Sequence, residues 1–217
     1  MKLVDLTRPF VAGGMHPKPQ MDIEMTAVRT IEKDGMNILR ICFGNHIGTH
    51  LDGPKHIIPG GKSLDELPLE SFYGTGVVLD LRRGPNEAIT ARDLESAKPT
   101  IEKGDVVLLN TGWSAKFGTT DYRQNHPYLG VDAAAWLVEK NVRMVGIDTT
   151  SLDLPHSLRK EGFTHGALRT LLENSIPAIH NLTNLEAVVG KRAIIMALPI
   201  KFSGSDGSPA RVVAQVD

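Results

Sequence analysis

A lone cysteine, Cys42, stands among 217 residues, so an internal disulfide framework is excluded. An excess of charge of one sign is equally lacking: 24 lysines and arginines against 25 aspartates and glutamates leave a net charge near −1. Without a basic stripe there is no electrostatic footprint for nucleic acid, and a membrane surface is disfavoured for the same reason. Long apolar runs are missing too. The longest, such as "AIIMALPI" (193–200), have the length of a strand, whereas a spanning helix needs about 20 residues. The opening "MKLVDLTRPF" is too short and too mixed to read as a signal peptide. No repeat, low-complexity tract or shift of composition marks a linker. These absences leave a cytoplasmic protein forming one domain over residues 1–217, long enough to bury a core without staples.

What the chain does have is strands. "LVDL" (3–6) alternates and "NILRICF" (37–43) runs into a histidine-rich stretch, while "GVVLDL" (76–81), "DVVLLNT" (105–111), "VRMVGID" (142–148), "AIIMALPI" and "RVVAQV" (211–216) are short β-branched runs typical of well-buried strands. "MDIEMTAV" (21–28) alternates, with Met21, Ile23, Met25 and Ala27 on one parity, as a half-buried strand should. Three helices are expected. Thr90 and Asp93 form a capping-box pattern before "ARDLESA"; "DAAAWLVEK" (132–140) takes Asp132 as its cap; "THGALRTLLEN" (164–174) takes Thr164 as its cap and stops at Asn174. The mixture is α/β with a mainly β core. The stretch from 44 to 73, interrupted by three prolines and by glycines at 44, 48, 53, 60 and 61, reads mostly as loop, the usual host of function on a rigid scaffold.

Within that loop lies "HIGTHLDGPKH" (46–56), which puts His46, His50, Asp52 and His56 on even positions. Ligand atoms around one divalent ion lie about 2.0–2.2 Å from it. Residues four apart in a straight strand are roughly 13 Å apart, at about 3.3 Å per residue. His46 and His50 therefore share an ion only if the chain turns, and Gly44, Gly48 and Gly53–Pro54 supply the freedom and the bend. A single loop histidine is more often solvated than a ligand. Three with an aspartate, bracketed by glycines, reverse those odds and point to a metal site with open positions, the arrangement of catalysis. His126 in "NHPYLG" and His156 in "LPHSL" read as solvated loop histidines, Trp113 and Trp136 as packing residues, and Cys42 as a buried structural thiol. The glycines of "SGSDGSPAR" give only a weak phosphate-loop signal, since no lysine–serine pair follows.

The eleven residues match H-x-G-T-H-x-D-x-P-x-H and resemble the signature of the cyclase family of metal-dependent hydrolases, which includes bacterial kynurenine formamidases and isatin hydrolases. "GGKSLDELPLESFYGTGVVLDL", "GDVVLLNTGW", "VGIDTTSLD", "IPAIHNLTNLEAV" and "ALPIKFSGSDGSPARVVA" are similar to further family blocks in family order. The resemblance implies a swivelling β/β/α fold and a homodimer or homotetramer. It implies that His46, His50 and Asp52 hold a metal, that His56 donates and accepts the proton, and that His165 joins the site. His180 stands where two-metal members carry a glutamate. With neutral imidazole there, Asp52 is the one carboxylate of the carried-over set, so one zinc or manganese ion per chain is expected, with His165 and His180 contacting either a second ion or an oxyanion.

The activity implied is hydrolysis of an amide-type C–N bond, cyclic or acyclic, in a small molecule through metal-activated water. Two other classes use similar residues. Two histidines and a carboxylate also make the facial triad of non-haem iron oxygenases, and a metal-bearing binding protein would need no base. The complete motif argues against both, and His56 against the second. Formamidases of kynurenine carry a substrate-contacting tryptophan near the N-terminus. Residues 13–22, "GGMHPKPQMD", hold none, and aromatics are only 5% of the chain. The expectation is therefore the amidohydrolase class and not formylkynurenine in particular.

Overall fold

The computed structural model describes residues 1–13 and 23–216. A nine-stranded sheet runs in the order Lys2–Asp5, Val213–Val216, Arg192–Met196, Tyr73–Asp80, Val106–Asn110, Met144–Ile147, Ala178–His180, His50–Asp52, Gly207–Pro209. The four strands from Tyr73–Asp80 to Ala178–His180 are mutually parallel. Antiparallel strands extend the sheet on both sides. The apolar runs are continuous because both faces are covered. Val107 and Leu109 lie in a cluster under the helices, while Val106 and Leu108 point into a second cluster on the opposite face. Each Val or Leu so buried contributes about 1.5–3 kcal/mol. That second cluster joins Val4, near one edge, to Leu51, near the other, so the sheet curls over its own face. The α/β architecture with a β core is what the sequence leads one to expect.

The helix Ala91–Ser96 opens with the expected reciprocal box between Thr90 and Asp93. The other two helices are capped differently from expectation. Helix Val131–Glu139 starts after Gly130, and the Asp132 carboxylate instead accepts from Ala91 N at 3.0 Å, tying two helices together. Helix Gly166–Glu173 starts after His165, which adopts a left-handed conformation at φ 55°. Its first amides are satisfied not by Thr164 but by Asp153, whose Oδ1 accepts from Ala167 N at 2.9 Å and Leu168 N at 3.3 Å. This helix buries Ala167, Leu168, Leu171 and Leu172, the one-sided pattern its sequence carries.

The alternating segment near residue 25 is not half-buried. Glu24–Arg29 pairs with Ile38–Cys42 in a separate two-stranded ribbon exposed along almost its whole length; Met21 and Asp22 lie outside the described residues. Cys42, in that ribbon, is only half-buried. Among the described residues no helix is long and apolar enough to cross a membrane.

Candidate metal centre

The motif turns where its glycines allow. Gly48 takes φ +60°, and a Cβ there would meet the Phe10 ring at 2.6 Å, so conformation and packing both demand glycine. The chain then enters His50–Asp52, a strand flanked antiparallel by Ala178–His180 and Gly207–Pro209. Alternation sends Leu51 into the core and puts His50 and Asp52 together on the other face. Register places His180 directly opposite His50 and Gly207 opposite Asp52. Pro54 then starts a 3₁₀ turn, Pro54–His56, which swings His56 back over the strand.

Asp52 sits at the centre, buried. Its Oδ1 lies 2.7 Å from His46 Nδ1 and 3.4 Å from His50 Nε2. Its Oδ2 accepts from His180 Nε2 at 3.0 Å and lies 3.9 Å from His56 Nε2. Burial alone would raise the Asp52 pKa, but the surrounding imidazoles, His180 foremost, hold it well below the usual carboxylate range. The ligand atoms of His46, Asp52 and His56 lie within 4.8 Å of one another.

Another carboxylate arrives from the far end of the chain. Asp206 Oδ2 accepts from His46 Nε2 at 2.8 Å and from His56 Nδ1 at 2.9 Å, while its Oδ1 accepts from Asn45 Nδ2 at 2.6 Å. Reading the sequence for phosphate-loop glycines passes over this residue. The usable signal is an acid between glycines and serines in the "SGSDGSPAR" block. Asp206 is only partly buried, which favours its protonated form, but its histidine partners push its pKa far below normal. His46, between two carboxylates, is desolvated, yet its bonds to Asp52 and Asp206 raise its pKa to about 9.

The donor set fits a divalent cation. His50 Nδ1 donates to Gly48 O at 2.8 Å, which fixes a proton on that nitrogen. Burial pushes the His50 pKa down and keeps the ring neutral, so its Nε2 lone pair faces the Asp52 carboxylate at 3.4 Å. Two electron-rich atoms so placed repel one another unless a cation lies between them. Asn181 Nδ2 also donates to Gly48 O, at 2.8 Å, and Tyr122 holds Asn181 through its hydroxyl at 3.0 Å, so the carbonyl that orients His50 is itself fixed. The Nδ1 of buried His180 has no partner among the described residues.

Other histidines fall elsewhere. The contacts of His165 are with Asp153 Oδ2, 3.3 Å away, and the Phe163 ring; no polar contact in the described residues joins it to Asp52. His126 is not solvated but fully buried, donating from Nδ1 to Pro127 O at 2.9 Å, with its pKa pushed down to about 4 by burial. His156 is half-buried and accepts from Arg123 at 2.8 Å. Trp113 is buried and Trp136 packs against the core, as expected of large aromatics.

A mixed sheet carrying clustered histidines and carboxylates on one face defines a metal-dependent enzyme of the α/β class. Residues 4–154 match the Cyclase family model. The chain is 30% identical to kynurenine formamidase of Bacillus anthracis over 182 residues, covering 84% of this chain and 81% of that protein. It is 29% identical to an uncharacterized protein of Methanocaldococcus jannaschii over 99% of both. Isatin hydrolase A from Ralstonia solanacearum superimposes with a TM-score of 0.87 at 25% identity, covering 100% of this chain and 92% of that one. A structure described as a "potential metal-dependent hydrolase with cyclase activity" gives a TM-score of 0.80 at 29% identity, covering 98% and 96%. The chain belongs to the cyclase family of metal-dependent hydrolases.

Proposed function

We propose that this enzyme hydrolyses an amide-type C–N bond of a small molecule, cyclic or acyclic. The observation that carries the reading is the convergence of His46, His50, His56 and His180 on the Asp52 carboxylate, in a chain related to enzymes named for hydrolysing a formamide and a lactam. His46, His50 and Asp52 would hold the divalent ion, with zinc or manganese matching imidazole and carboxylate donors. When bound, such an ion makes water ionise near neutral pH and polarises a carbonyl. His56 does the proton chemistry. Its Nδ1–H is held on Asp206, so Nε2, 3.9 Å from Asp52 Oδ2, takes the proton of the attacking water and returns it to the leaving nitrogen. His180 turns Nε2–H toward Asp52, which in the neutral ring leaves Nδ1 as an acceptor. That favours a ligand to a second, weaker ion over an oxyanion donor. His165 would join such a second site only after its side chain leaves Asp153.

One tight ion per chain, a single domain over 1–217, a cytoplasmic location and a homodimer or homotetramer complete the reading. The pairing of Lys2–Asp5 with Val213–Val216 in one sheet supports the single domain. The exposed apolar side chains of the two-stranded ribbon, Val28, Ile38, Leu39 and Ile41, support self-association, which sedimentation velocity would read. The test of function is turnover of a lactam and formamide panel before and after chelation. Activity should vanish with the metal and return with zinc or manganese; activity that survives thorough chelation sinks the mechanism.

A further inference from the structure

We propose that Asp206 is a positioning residue that orients a metal ligand and the proton-transfer base through one oxygen atom. The inference rests on the metal-centre reading above and deepens it. A ligating imidazole presents the right nitrogen only when its other N–H is fixed by a hydrogen-bond acceptor, and losing that acceptor commonly costs 10–100-fold in metal affinity. His50 has its acceptor in Gly48 O. His46 has Asp206 Oδ2 at 2.8 Å, which holds the proton on Nε2 and aims Nδ1 at Asp52 Oδ1, 2.7 Å away. The nitrogens Nδ1 of His46 and Nε2 of His50 thus approach the same carboxylate oxygen.

The same Asp206 oxygen also accepts from His56 Nδ1 at 2.9 Å. That fixes the proton on Nδ1 and leaves Nε2 as the nitrogen able to accept one. The rings of His46 and His56 lie side by side, with centroids 4.0 Å apart and planes 37° apart. Moving Asp206 therefore disturbs ligand and base together.

Its own position is set by backbone and side-chain contacts. Asp206 O accepts from Gly53 N at 2.8 Å, and Asn45 Nδ2 holds Oδ1. The next residue, Gly207, faces His46 so closely that a Cβ would fall 2.7 Å from Nε2 and 2.8 Å from Nδ1. Lack of a side chain at 207 is what lets the His46 ring lie beneath the strand, between the two carboxylates.

The experiment uses full-length wild type, Asp206→Asn and Asp206→Ala. Zinc dissociation constants come from competition with a chelator, and the tautomers of His46 and His56 from long-range proton–nitrogen correlation spectra of the zinc-loaded proteins. In wild type, His46 should be protonated on Nε2 alone and His56, where neutral, on Nδ1 alone. The alanine variant should bind zinc 10–100-fold more weakly and show mixed tautomers at both rings. The Asp206→Asn variant, which keeps a neutral acceptor oxygen, should fall between and restore part of the wild-type spectrum, which general loosening of the fold would not do. Wild-type His56 protonated on Nε2 would overturn the proposal without any variant. So would zinc affinities in both variants within twofold of wild type. Failure of the whole substrate panel, with these effects intact, would instead count against the hydrolase reading alone.

Discussion

Replacing Gly207 with alanine perturbs the site by one methyl group, and the structure sets the size of the effect. The new Cβ would stand 2.7 and 2.8 Å from the two His46 nitrogens, where non-bonded heavy atoms prefer about 3.5–4.0 Å. Gly207 lies in a strand bonded to His50–Asp52 and is buried, so the backbone has little room to yield and the ring must retreat by roughly 1 Å. Ligand distances in functional metal sites hold within about 0.2 Å. On the proposed ligand set, the shift therefore takes His46 away from the ion and breaks its contacts with Asp52 and Asp206. Overpacking of this kind costs about 1–3 kcal/mol in stability, while metal affinity should fall by about 100-fold or more, beyond the range for a lost outer partner. Gly190→Ala is the control. Its φ of +75° disfavours alanine, costing about 1 kcal/mol, but no atom lies within 4 Å of the new Cβ, so affinity should hold. The assay pairs thermal unfolding of the metal-free proteins with chelator competition. A Gly207→Ala protein that binds zinc as tightly as wild type would refute the placement of His46 among the ligands.

His50→Ala should abolish both tight metal binding and turnover, read by elemental analysis and the substrate panel, because it removes a buried neutral donor facing Asp52. His180→Glu should raise the affinity for a second ion, with zinc and manganese titrated separately; an unchanged second site would show that residue 180 does not reach it. The metal-free protein should be most stable near pH 6.5, measured by urea unfolding across pH. His126 has a folded pKa of about 4 against about 6.5 unfolded, so its neutral form gives stability above pH 6.5 that is lost as pH falls toward 4. His46, raised to about 9, gives stability below pH 6.5 that is lost as pH rises to 9. Each contributes on the order of 3 kcal/mol; a flat profile from pH 5 to 9 would refute both assignments.

What could be read from the sequence was mostly what is local. Buried strands announce themselves because both faces are apolar, and Thr90 meets its partner three residues on. Asp153 caps a helix from 14 residues away, and no spacing rule reveals that. His126 looks solvated beside Pro127, yet bonding the proline carbonyl lets it bury a neutral ring. The 46–56 motif declared its chemistry through density, and the turn it required is present at Gly48. Asp206 stayed hidden because it reaches His46 across 160 residues, through an antiparallel edge strand that composition does not disclose.

That hidden carboxylate changes the charge arithmetic without overturning its direction. Counted from the motif alone, Asp52 is the sole anion, and two divalent ions about 3.5–4 Å apart need anions between them. Asp206 adds a negative charge, but both its oxygens are engaged: Oδ2 by His46 and His56, Oδ1 by Asn45. Its Oδ2, shared by both rings, places it to act through the imidazoles. Asp52 alone has an oxygen facing a neutral imidazole nitrogen that carries no proton, at His50. The position across from it, taken by His180, supplies an imidazole nitrogen where a carboxylate would be needed to hold a second ion equally well. This balance is what supports the proposal of one tightly held ion, its charge met by Asp52 directly and by Asp206 at one remove.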